Sequence, residues 1–99
     1  MSKFYKPAQG AANRQQMLAF GQYVRDLRLA RDLTQAQVGK LVGVTNNHIS
    51  DIENGVRKLS PERYAQFAQV FEIPPRDFAL CILQHYDPHA HAMLTGPVA

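Results

Sequence analysis

The chain carries a single cysteine, Cys81, so no disulfide can form within it. No apolar run approaches the roughly 20 residues that cross a bilayer. There is no glycine-rich phosphate loop, no nucleophile elbow, no helical His-Glu-x-x-His motif and no internal repeat. These gaps argue against a disulfide-framed secreted domain, a membrane span and the commoner enzyme classes. The expectation is a cytoplasmic, non-enzymatic protein without a cofactor. Cys81 sits in the apolar run from Phe78 to Leu83, where it should pack as a small hydrophobe. His85 and His89 have a helical spacing, and His91 follows, but Pro88 interrupts that helix and no carboxylate or cysteine cluster completes a metal site.

Within its 99 residues the hydrophobic share is 45%, enough for one buried core, and no more than one domain is expected. The formal charge is +3 and the pI about 9.3, compatible with a polyanionic partner. Placement says more than the total: Arg25, Arg28 and Arg31 fall together, as do Arg57, Lys58 and Arg63.

Helical spacing organises the middle of the chain. Residues 1–12 show no sustained period and read as a flexible arm, 13–86 as the folded domain and 87–99 as a loose tail. Phe20, Val24 and Leu27 give a first helix, from Asn13 to Arg31, one buried stripe. Thr34 stands three residues before Gln37, the spacing of a capping box, and starts a second helix over Gln35 to Val42 that Gly43 stops. Thr45 caps a third helix, about 46–54, with Ile49 and Ile52 inward. Ser60 and Pro61 read as cap and first residue of a fourth helix that buries Tyr64, Phe67, Ala68 and Phe71. Pro74 and Pro75 open a fifth, to about His85, with Phe78 and Ile82 available for burial. The expected fold is all-α, a compact five-helix bundle.

The central run, LTQAQVGKLVGVTNNHISDIENG, resembles the phage-repressor (XRE/Cro) family of helix-turn-helix domains. It carries Leu-Thr-Gln at the second helix, a small residue in that helix, Gly-Val-Thr at the turn and Ile-Ser-x-Ile-Glu-x-Gly closing the third. The resemblance spans Leu33 to Phe78. Gly39 stands where the family usually has alanine, at a close approach of the two motif helices, and Leu59 where proline is common.

The resemblance implies a sequence-specific double-stranded DNA-binding regulator, acting by default as a repressor. Its base-reading positions map onto Asn46, Asn47, His48 and Asp51, whose amide, imidazole and carboxylate groups suit major-groove base edges. Asp51 has an alternative task, orienting Asn47 or a basic neighbour. Phosphate contacts fall to Thr34, Gln35, Thr45, Asn54, Arg57 and Lys58, with Thr34 and Thr45 also serving as caps. The resemblance further implies an ion pair between Arg28 and Glu53.

Such heads usually act in pairs, so a homodimer on a palindromic operator is expected, with Phe78, Leu80 and Leu83 as the candidate contact or, alternatively, as intramolecular core. A second reading is an antitoxin-like module whose main partner is a protein, with DNA autoregulation added.

Overall fold

The computed structural model describes residues 12–96, which form six α-helices. These are α1 (Arg14–Ala30), α2 (Gln35–Val42), α3 (Asn46–Glu53), α4 (Tyr64–Phe71), α5 (Pro75–Tyr86) and α6 (Pro88–Thr95), with a 3₁₀ turn at Pro61–Arg63 leading into α4. Among the described residues there is no strand, and no helix is long and apolar enough to cross a membrane.

Local chemistry sets most of the helix starts. Asn13 and Gln16 close a reciprocal capping box at α1, each donor–acceptor distance 2.8 Å. Thr34 and Gln37 do the same at α2, at 2.8 and 3.0 Å, as their spacing predicts. The Thr45 hydroxyl accepts from His48 N–H at 3.1 Å and starts α3. Gly43 ends α2 at φ +77°, a left-handed conformation that side chains disfavour.

Two expectations are corrected here. Ser60 has the extended backbone of a cap and Pro61 follows as first helical residue, yet the serine side chain makes no capping bond and the first turn is 3₁₀. Residues 87–99 are not simply a loose tail, because α6 occupies Pro88–Thr95. Proline blocks a helix interior but suits its first position, and Asp87 caps the new helix by accepting from Ala90 N–H at 3.0 Å. The expected arm, 1–12, lies outside the described residues except for Ala12, which packs against the core.

Phe20, Phe67, Phe71 and Phe78 are fully buried, and neighbouring rings meet edge-on or tilted at 6.1 to 6.5 Å. Val24, Val38, Ile49, Ile52 and Ile82 complete the centre, joined by Leu59 and Tyr86, which sequence spacing did not assign to it. Phe78 is therefore core, and of the three candidate dimer residues only Leu80 and Leu83 keep accessible surface. At one edge Arg31 donates to the Phe71 carbonyl at 2.8 Å and pairs with Glu72 at 2.8 Å, tying the end of α1 to the end of α4.

Candidate nucleic-acid interface

Helix α3 is held from its inner face. Ile49 and Ile52 are buried, so Asn46 and Asn47 at its N-terminal turn stand exposed, with His48 and Asp51 half-buried beside them. Two glycines allow this placement. A Cβ on Gly39 would lie 2.7 Å from the Val44 carbonyl oxygen and 3.2 Å from the Thr45 backbone, so the close contact is between α2 and the turn that enters α3. A Cβ on Gly21 would lie 2.4 Å from the Glu53 carbonyl oxygen, so α1 touches the backbone at the end of α3. Gly21 escaped sequence reading because a lone glycine inside a helical pattern does not name its neighbour.

Arg28 and Glu53 form the expected ion pair in bidentate geometry, with Nε–Oε2 at 2.7 Å and Nη2–Oε1 at 3.0 Å. Arg28 also donates to the Leu33 carbonyl at 2.9 Å, and Gln35 Nε2 donates to Glu53 Oε1 at 3.1 Å. The side chain of Gln35 therefore points at Glu53. Thr34, Gln35 and Asn46 share one open groove, which brings the start of α2 alongside the start of α3.

The basic loop after α3 folds back onto it. Backbone N–H groups of Val56 and Arg57 donate to the Asp51 carbonyl at 2.8 and 3.2 Å, and Arg57 Nη2 lies 3.9 Å from the Asp51 carboxylate. Asp51 thus has a basic neighbour beside it. Asn54 donates to the Ser50 hydroxyl at 3.2 Å, and Thr45 remains exposed while capping. Lys58 places its ammonium 4.9 Å from the centre of the Tyr86 ring, and Leu59 N–H donates to the Tyr86 hydroxyl at 3.2 Å.

Arg63, noted in sequence only as a member of a basic cluster, donates to the Val42 carbonyl at 3.0 Å and holds the end of α2. Partial burial first, then the positive charges of Arg57 and Arg63, push the His48 imidazole below its ordinary value of 6.5, with Asp51 opposing.

The histidines considered as metal ligands lie elsewhere. His85 stacks on Tyr23 at 5.5 Å and meets Phe20 edge-on at 5.6 Å, with Nδ1 donating to the Cys81 carbonyl at 2.9 Å. His89 and His91 are on α6, where Thr95 donates to the His91 carbonyl at 2.8 Å. Among the described residues no three His, Cys, Asp or Glu side chains gather as a ligand set.

Comparison with known proteins places this geometry in context. The helix-turn-helix family matches residues 24–78. RghRB of Bacillus subtilis, an uncharacterized HTH-type transcriptional regulator, is 41% identical over 59 residues, covering 59% of this chain and 42% of its own. The antitoxin PezA of Streptococcus pneumoniae is 34% identical over 53 residues, 54% of this chain and 34% of its own. The chain thus spans less than half the length of these curated relatives. Among solved structures, the P22 c2 repressor in complex with a synthetic operator superposes with a TM-score of 0.54 at 28% identity, over 59% of this chain and 88% of that one.

Proposed function

The chain belongs to the helix-turn-helix family, and on that premise we propose that it is a sequence-specific DNA-binding transcriptional regulator that represses by occupying its operator. The observation that carries the reading is the presentation of Asn46 and Asn47 on the exposed N-terminal turn of α3, flanked by the α2 N-terminus and the Arg57–Lys58 loop. An α-helix fits the major groove, and asparagine pairs in bidentate fashion with adenine. His48 reads a purine acceptor. Asp51 accepts from cytosine or orients Arg57.

Thr34, Thr45, Asn54, Arg57 and Lys58, with the backbone at Gln35, supply the phosphate contacts that position the helix. Two copies acting on a palindromic operator supply the affinity that one small head lacks, with Leu80 and Leu83 on α5 at the contact between them. The operator-bound P22 c2 repressor and the transcriptional regulator RghRB support this reading by likeness. No catalytic role is assigned to any residue.

Selection of duplexes from a random pool tests the proposal. A palindromic consensus bound with a steep salt dependence is expected. The likeness to the antitoxin PezA favours one second reading, in which a protein partner comes first. Weak binding without enriched sequence contradicts the primary reading and favours this one.

A further inference from the structure

We propose that Tyr86 is a positioning residue for the phosphate-contacting loop, acting from the far end of α5 through Leu59 and Lys58; this rests on the DNA-binding function proposed above. Leu59 is fully buried, and its N–H cannot reach water. A buried donor must find an acceptor, and here the acceptor is the Tyr86 hydroxyl at 3.2 Å, itself on a residue that is only 7% exposed. The same ring takes the Lys58 ammonium at 4.9 Å. One side chain therefore holds two successive residues of the loop, by two different kinds of contact.

The pairing compensates for a feature of this sequence. Leucine at 59 brings a backbone donor to a position where proline would bring none. The donor and its acceptor form a unit: remove the hydroxyl, and the loop must either bury an unpaired N–H or move Leu59 out of the core. The second course displaces Lys58 from the Tyr86 ring and Arg57 from its place beside Asp51 on α3. Because Tyr86 is the last residue of α5 and Asp87 already caps α6, the loop is coupled to the junction of the two C-terminal helices.

The test uses the full chain and the duplex that the wild type selects, with affinity followed against salt. Tyr86→Phe keeps the ring for Lys58 and removes only the acceptor. Its DNA affinity should fall about tenfold, the loss expected when binding must re-impose one unsatisfied buried donor. The salt slope should become shallower by about one phosphate contact, while the preferred sequence stays the same. Tyr86→Phe combined with Leu59→Pro removes donor and acceptor together and should restore both affinity and slope.

Wild-type affinity and slope in Tyr86→Phe overturn the inference and leave the DNA-binding reading intact. So does a Tyr86→Phe chain that loses affinity equally at every salt concentration and keeps the wild-type slope, because the tyrosine then serves the core alone. A wild type that selects no duplex refutes the underlying reading instead.

Discussion

Arg28 and Glu53, on helices separated by the whole of α2, are joined by two parallel hydrogen bonds of 2.7 and 3.0 Å in a nearly buried setting. Glu53 also receives Gln35, and Arg28 also reaches Leu33, so one carboxylate and one guanidinium set the relative placement of α1, α2 and the end of α3. The positions that present Asn46 and Asn47 depend on this junction.

Removal of either partner strands the other charge, so Arg28→Ala or Glu53→Ala should each cost about 3–5 kcal/mol in denaturant unfolding. An Arg28→Met, Glu53→Leu double variant leaves no stranded charge and should recover most of that loss. Equal destabilisation by the double and single variants contradicts the coupling.

Gly21→Ala sets helix propensity against sterics. Alanine favours the helix by about 1 kcal/mol, but its Cβ would sit 2.4 Å from the Glu53 carbonyl oxygen, and such overpacking costs about 1–3 kcal/mol. A net fall in Tm with weakened DNA binding is expected, since α1 and α3 must separate. Gly43→Ala meets no atom within 4 Å yet must hold φ +77°, so it should lower stability by about 1 kcal/mol and leave base preference unchanged. Identical effects on binding from the two variants contradict the close approach.

Arg63→Ala should lower stability by about 1–2 kcal/mol by leaving the Val42 carbonyl without its charged donor. Arg63→Lys should recover part of the loss. In the alanine variant the His48 imidazole should also rise toward its ordinary value, because one of the charges that depress it is gone. Denaturant unfolding reads the stability change and NMR titration of the histidine ring reads the shift; an unmoved titration in Arg63→Ala contradicts the placement of Arg63 beside α3.

The depressed His48 has two consequences of opposite sign. Its folded value lies below the unfolded value of 6.5, so its contribution to stability is present above 6.5 and is lost as pH falls through the folded value. DNA phosphates favour the imidazolium, so bound His48 titrates higher than free His48, and affinity rises as pH falls across the interval between them. In His48→Gln both trends should flatten. Unchanged pH dependence of binding in that variant removes His48 from the interface.

Sequence reading reached what local chemistry determines. The capping box at Thr34, the Thr45 cap and the Gly43 stop place α2 and α3 within a residue or so, and the spacing of Phe20, Val24, Ile49 and Ile52 gives the core face, whereas the Asn13–Gln16 box at α1 emerges only from the structure. Contacts between distant residues were less accessible. Arg31 to Phe71, Arg63 to Val42 and Tyr86 to Leu59 each join segments that neither periodicity nor capping relates. Arg28 with Glu53 was available through family resemblance alone. Helix α6 is not legible in the sequence, because Pro88 reads there as a breaker and only the adjoining Asp87 cap reveals it as a helix start. Phe78 was one apolar residue among several on α5, and choosing core over partner contact required seeing Phe20 and Phe71 against it.

The proposed function divides the labour between the first turn of α3, which is expected to read bases, and the loop after it, which is expected to hold phosphates. The direct measurement is the affinity of the selected duplex and its single-base variants, against salt, for wild type, Asn47→Ala and Arg57→Ala. Asn47→Ala should relax preference at one position of each half-site by about 1–3 kcal/mol and leave the salt slope alone, whereas Arg57→Ala should weaken all duplexes alike and reduce the slope by about one contact. Uniform weakening by Asn47→Ala, with base preference intact, would contradict the account.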